Sequence, residues 1–562
     1  MNNYLSTKDY LVFIIYFLIV AIYGYWIYQR KKKKSTDTKD FFLAEGSLTW
    51  WAIGASLIAS NISAEQFIGM SGNGFTMGLA ISTYEWMAAA TLLVVAIFFI
   101  PVYLKNKIYT MPQFLNQRYN STVAMIMAVF WLLLYVVVNL TSILFLGALA
   151  ISSISGINFT LCMLFLAVFA IIITLGGMKV IGYTDVVQVF FLILGGLVTT
   201  YLALNLVATH FGSDGGVIAG FKLLTENAND HFHMIFEKDN PSYLSLPGLS
   251  VLIGGMWIVN LNYWGCNQYI TQRALGADLK TARNGLLFAA FLKLLMPVIV
   301  VLPGIAAFVL HENGYFQQEM LVNGELQPDK AYPVLLNLLP SGLKGLAFAA
   351  LTAAVVASLA GKANSISTIF TLDIYKKKVN PEAGEKKMVN IGRIVVIISM
   401  LLAVIIAPFL GIDKKGGFEY IQEYTGFVSP GIFAMFILGF FWKKTTSNAA
   451  LFATVGGFAL SILFKVLPAI ANLEWLSPFG FSKLVLQKDG SALYEIPFID
   501  RMFFVFVIAV AGMYIISVYE NSKGVKTNGL EIDRSMFKTT PGFAAGALLV
   551  TGILIALYTL FW

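Results

Sequence analysis

The sequence predicts an all-α membrane protein of about fourteen transmembrane helices, each of roughly 20 residues. Three observations predict it. Of 562 residues, 58% are hydrophobic and 12% charged, with a mean hydropathy of +0.76, a balance foreign to soluble domains. Long apolar runs alternate with short basic segments. Two of the runs are interrupted by polar or glycine-rich centres.

The 48 glycines and 45 phenylalanines suit close helix packing and interfacial anchoring. The net charge of +8 does not point to nucleic acid, because the basic residues cluster between spans. These segments are Arg30–Lys34, Lys105 with Lys107, Arg273 with Lys280 and Arg283, Lys376–Lys378, Lys443-Lys444, and Lys523 with Lys526, Arg534 and Lys538. If all lie on one side, the positive-inside rule makes that side cytoplasmic and puts both termini outside. Cys162 and Cys266 both fall in expected spans, so no disulfide framework is expected.

A first, retained helix is expected over 8–30, without the charged start or small-residue cleavage site of a signal peptide. The second run, Thr49–Met70, contains Ser60-Asn61-Ile62-Ser63-Ala64-Glu65-Gln66 at its centre. Hydrocarbon does not accept such a run, so the span faces protein, water or a solute and marks a site near the midplane. A second interruption runs from Gly254-Gly255 through Asn260-Leu261-Asn262-Tyr263-Trp264-Gly265. Paired broken helices in corresponding positions of two halves are the sequence mark of secondary transporters. The spacing predicts a first repeat over 49–208, opening with a break at Asn61, and a second, inverted repeat over 247–442, opening with a break at Asn260. Additional helices fill 446–562, and the whole is one transmembrane domain.

These residues also carry a resemblance. Ala59–Met70, Tyr84-Glu85-Trp86-Met87, Asn139-Leu140-Thr141-Ser142, Asn260 with Tyr263-Trp264-Gly265, Gln272-Arg273 and Tyr420–Gly426 resemble the solute:sodium symporter family, in particular its sugar-carrying branch. The likeness covers nearly the whole chain and implies the leucine-transporter fold, a 5+5 inverted repeat. It implies a small-molecule partner, a hexose such as galactose or glucose, and sodium as coupling ion. Gln66, Glu85, Asn260, Lys293 and Gln422 would then hydrogen-bond sugar hydroxyls, and Tyr263 would stack on the ring as inner gate. Met70, Tyr84 and Phe418 would close the outer side, with Asn61 and Trp264 supporting Tyr263. The chemistry is apt, since an uncharged polyol needs several groups that donate and accept, plus an aromatic face. Ala88 departs from the pattern, standing where sugar carriers have a serine.

By the same resemblance, sodium would bind the carbonyls of Ala59 and Ile62, the carbonyl of Ala354 and the hydroxyl of Ser358. Ala357 replaces a further hydroxyl, and a hard cation loses an oxygen ligand there. Lys362 lies one turn beyond Ser358 on the same helix face, with Asp185 as its expected partner. Two readings stay open: sodium binds while Lys362 is structural, or Lys362 replaces the ion and transport is proton-coupled or uncoupled.

Other features weigh less. His231-Phe232-His233 lacks a third ligand for a metal and reads as outer loop. Gly215-Gly216 and Gly416-Gly417 lack the strand and helix of a phosphate loop. Bulky gates around one site argue against a channel, and no appended signalling domain is expected. No nucleophile with a base appears in the spans, so no enzyme is expected. Oligomeric state has no signature in the sequence.

Overall fold

The structure is a computed structural model and describes residues 5–31, 48–176, 178–322, 324–409, 417–487 and 490–562. Lys32–Lys34 of the first basic segment and Gly416 lie outside the described residues.

Helices dominate, as the composition requires. Among the described residues ten helices are long and apolar enough to cross a membrane. An eleventh crossing is the pair Phe418–Gly426 and Ser429–Phe441, bent by 52° at its break. Fewer than fourteen pass on length, because interrupted runs divide into short pieces and Phe159–Thr174 has only 16 residues. Two small antiparallel hairpins, which the sequence reading did not foresee, sit in the long loops. Leu321–Val322 pairs with Glu325–Leu326, and Lys483–Leu486 with Ala492–Glu495. Cys162 and Cys266 are free and buried.

The chain divides into two compact units. The first comprises Met1–Glu85, Trp131–His233 and Gln272–Ile421, and the second Trp86–Phe130, Met234–Thr271 and Gln422–Trp562.

In the first unit, the polar run breaks its helix where expected. Trp50–Asn61 ends at Ile62, whose backbone is extended (φ −77°, ψ 113°), and a π-helical turn Glu65–Met70 then leads into Ser71–Met77. The N-terminal helix, Thr7–Lys31, packs Tyr16, Phe17 and Val20 against Ala349 and Ala353 of Leu343–Thr368. Asp9 fastens that packing. Its Oδ1 accepts the amides of Gly342 (2.7 Å) and Gly345 (3.0 Å), two of the donors that a helix N-terminus leaves over.

In the second unit, the second interrupted run breaks at its two ends, Gly254 and Cys266, and not at Asn260. Ser250–Ile253 ends at Gly254, but Gly255–Gly265 runs unbroken through Asn260 and ends at Cys266, before Gln268–Leu275 begins. Asn260 keeps its side chain on the helix, donating to the Met256 carbonyl (3.1 Å), so it does not interrupt the ladder. The break falls where Tyr103 takes the Gly265 carbonyl (2.6 Å) and the Gln268 side chain takes the Met111 amide (2.7 Å). Arg118 caps Ser429–Phe441, donating to the carbonyls of Gly439 (2.8 Å), Trp442 (2.8 Å) and Thr445 (3.1 Å).

The His231 motif is structural. Its ring stacks on Phe308 (centroids 4.0 Å apart), and Nε2–H donates to the Phe75 carbonyl (3.1 Å). Gly78, at φ +73°, ends Ser71–Met77, and a Cβ there would stand 2.2 Å from the His231 carbonyl oxygen. Only glycine allows that approach. Burial holds the His231 pKa below its ordinary 6.5, against the smaller opposing effects of the Phe75 hydrogen bond and Asp230. Asp230 adjoins the ring in sequence, Lys222 and Glu226 pair on Val217–Asn227 (3.8 Å), and His311 and Glu312 end the Leu279–Glu312 span; Ser71–Met77 and Gly78–Ser82 carry no titratable group. The docked loop therefore holds fewer protons than the undocked one. The stability that docking draws from the neutral ring is full above pH 6.5 and declines as pH falls through the lowered value. Hydrogen exchange of the 217–232 amides, corrected for intrinsic rate, should quicken from about pH 7.5 to about pH 5.5. The variant H231Q should abolish that pH dependence.

Candidate solute and ion site

The break in the first helix frees backbone oxygens. In a continuous helix the Ala59 carbonyl would accept from the Ser63 amide, and that of Ile62 from the Gln66 amide. Here Ser63 N–H donates to Gln66 Oε1 (3.0 Å), and Gln66 N–H to the Ser63 carbonyl (3.2 Å). The Gln66 side chain thus caps the unwound turn, and its amide NH₂ retains the donors that a hydroxyl would need.

The Leu343–Thr368 helix reaches this turn. Ser358 Oγ donates to the Ser60 carbonyl (3.1 Å), which brings that hydroxyl beside the unwound backbone and leaves its lone pairs free to accept. Ala354, Ala357 and Ser358 are all buried on this helix, as are Ala59 and Ile62 on the other side.

Three buried charge sets surround the turn. Lys293 donates to both Glu85 Oε2 and Asn61 Oδ1, so three residues read as site groups meet in one cluster. All three are at least nine-tenths buried. Lys362 Nζ lies 3.6 Å from Glu65 Oε1. Arg273 Nε donates to Ser56 Oγ (2.9 Å), which donates to Asp185 Oδ2 (2.6 Å), with Arg273 Nη2 itself 3.8 Å from that oxygen. The expected pairing of Lys362 with Asp185 is therefore corrected. Glu65, just past the unwound turn, takes the ammonium. Asp185 is covered by the guanidinium, which occupies the space above Gly361, where a Cβ would stand 2.7 Å from Arg273 Nη2.

Residues expected at the outer gate pack together or lie buried. Tyr84 meets Phe418 edge to face (centroids 4.9 Å, 89°), and Met70 is fully buried. Ala88 is buried one turn beyond Glu85.

In the second unit, Tyr263 is held by Trp264 (centroids 5.1 Å, 74°) and by Tyr269, whose hydroxyl donates to that of Tyr263. The support from Trp264 was expected; Tyr269 was missed. It lies beyond the break at Cys266, where no periodic spacing relates it to Tyr263. Asn262 donates to Ser429 Oγ (3.1 Å). Gln422 lies half-buried on Gly417–Gly426. Glu65 was visible as the carboxylate of the polar run, but its partner was not, because 297 positions separate Glu65 from Lys362.

A model of the sodium:solute symporter family matches residues 41–457. The chain belongs to the sodium:solute symporter family. It is 44% identical to the sodium/glucose cotransporter of Vibrio parahaemolyticus over 99% of both chains. It is 33% identical to the human sodium/myo-inositol cotransporter 2, over 83% of this chain and 71% of that protein. Its fold matches a Na⁺-coupled sialic acid symporter solved in a substrate-bound outward-open state, with TM-score 0.73 and 21% identity, over 92% of this chain and 98% of that one. This symporter is a multi-pass membrane protein of a transporter family, not of an enzyme family.

Removing one member of the Lys362–Glu65 pair leaves a buried charge alone, which costs about 3–5 kcal/mol, whereas removing both costs far less. Thermal unfolding in detergent should show K362M and E65Q each strongly destabilised, with the double variant K362M/E65Q recovering more than half of the loss.

Proposed function

We propose that this symporter imports a hexose across the cytoplasmic membrane, driven by sodium entry, through alternating access. The observation that carries the reading is the unwound turn at Ile62-Ser63, with the Ala59 and Ile62 carbonyls released from the helical ladder and the Ser358 hydroxyl alongside. Those oxygens, with the Ala354 carbonyl, form a hard donor set suited to sodium. The similarity to sodium/glucose and sodium/myo-inositol cotransporters supports a polyol as solute.

In this reading Gln66, Glu85, Asn260, Lys293 and Gln422 hold the sugar hydroxyls. Lys293 donates to Glu85 and Asn61 and keeps both side chains oriented in a dry interior, so the sugar meets a preformed array. Tyr263 closes the inner side, braced by Trp264 and Tyr269. Met70, Tyr84 and Phe418 close the outer side. Sodium favours the outward-facing state because it completes a site there, and so raises the population competent for sugar. Counting the interrupted runs and Phe159–Thr174 as crossings gives fourteen spans in a 5+5 inverted repeat, with both termini outside. Residues 49–208 and 247–442 are the repeats, 8–30 precedes them and 446–562 follows.

A second reading, in which Lys362 replaces the ion, is favoured by its burial one turn from Ser358 and by the missing hydroxyl at Ala357. Against it stands Glu65, which neutralises the ammonium and leaves the oxygens to sodium.

The test is labelled hexose uptake into proteoliposomes under a sodium gradient, a proton gradient or neither. Accumulation with sodium alone is expected, and S358A should raise the sodium concentration for half-maximal uptake about tenfold, the loss of one good ligand. Accumulation without sodium, abolished in K362M, would establish the second reading instead.

A further inference from the structure

The helix Gly417–Gly426 presents Gln422, yet little in its own backbone fixes how it is turned. Its span bends by 52° before Ser429–Phe441, and the backbone bonds across the joint are long, Phe427 N–H to Tyr424 O and Val428 N–H to Thr425 O, both 3.3 Å, with Ser429 Oγ–H donating to the Thr425 carbonyl (2.8 Å) beside them. A ten-residue half-helix on such a joint needs side-chain anchors to keep one rotation.

Glu423 supplies one. Its Oε1 accepts from Lys465 Nζ (2.5 Å), on Gly457–Ile470, and from Arg501 Nη2 (2.9 Å), in the first turn of Phe498–Ser522. The carboxylate and guanidinium side chains are only 14% and 12% exposed, so solvent screens the Arg501 contact weakly, while Lys465 reaches it from the surface at 41%. Two cations from two helices thus converge on one oxygen. A shallow, partly open hollow lined by Glu423, Phe427, Ser461, Phe498 and Arg501 lies at the same place. Helical geometry connects this clamp to the solute. Phe418 and Gln422 are four residues apart and share a face, and Glu423 is the next residue, about 100° further round. Holding Glu423 therefore sets where Gln422 points.

We propose that Lys465 and Arg501 are positioning residues for the sugar, acting through Glu423 to set the rotation of the half-helix that carries Gln422. The inference rests on the hexose reading for its kinetic test, and on the clamp geometry alone for its structural test. It predicts a cost in sugar recognition from two residues that touch no sugar.

The kinetic test compares R501M, K465M and E423Q with wild type in proteoliposomes. KM for hexose should rise about fivefold or more with kcat within about twofold, and R501K and K465R should restore KM to within about twofold. Normal KM in all three variants, with only less folded protein, overturns the proposal. If wild type accumulates no hexose, it is the transport reading that fails. The clamp is then decided by hydrogen exchange of the amides from 417 to 426, which should quicken about tenfold in the double variant R501M/K465M and not in R501K/K465R. Unchanged exchange in R501M/K465M overturns the proposal on that measurement too.

Discussion

Unwinding of two residues, Ile62 and Ser63, inside an apolar interior is the constraint on which the first unit depends. Hydrocarbon offers no hydrogen-bonding partner, so each backbone group released from a helix must be met by protein or by a bound solute. The chain meets part of the demand itself. Gln66 takes the Ser63 amide, the Ser63 hydroxyl takes the Glu65 amide (3.2 Å), and Ser358 reaches across to the Ser60 carbonyl. The carbonyls of Ala59 and Ile62 are left without their helical donors, and carbonyl oxygens are what a sodium ion replaces its water with.

The charged side chains obey the same logic. Lys293 with Glu85, Lys362 with Glu65, and Arg273 with Asp185 are all buried, and each cation reaches its carboxylate from a different helix. Desolvation makes such pairs poor sources of net stability, yet breaking one is costly, so they specify which helix faces which rather than how tightly the fold holds. Ser56 joins the Arg273 set by donating to Asp185 while accepting from the guanidinium, which satisfies a hydroxyl on the first broken helix. In the second unit Arg118 plays a neutral version of this part, using one guanidinium to satisfy three carbonyls at a helix end.

The polar framework of the first unit was partly legible in the sequence, because cost makes it conspicuous. A carboxylate and carboxamides amid apolar residues announce themselves, and the break at Asn61–Ala64 followed. The second run breaks at Gly254, within the stretch read as interrupted, and again at Cys266, but not at Asn260. Asn260 and Asn262 look like interruptions, but an asparagine that bonds its own helix or a neighbouring hydroxyl is compatible with continuous winding. The true end at Cys266 depends on Tyr103, from a distant segment, claiming the Gly265 carbonyl. Tyr269 escaped notice for a related reason: it braces Tyr263 across that end, where helical periodicity no longer applies. The stacking of His231 on Phe308 and the fit of its backbone against Gly78 have no counterpart in local sequence.

By itself the sequence determined that the chain lives in a membrane, that its first polar run cannot be a continuous lipid-facing helix, and which side chains are too costly to lie there idle. These follow from hydropathy and desolvation, properties that each residue carries wherever it is placed. Only the tertiary structure decided the partners: Lys362 to Glu65 rather than Asp185, Asp185 to Arg273 through Ser56, Lys293 to Asn61 and Glu85 at once. Pairing depends on distances of a few ångströms between residues hundreds of positions apart. Those distances are set by helix packing, which no local pattern encodes.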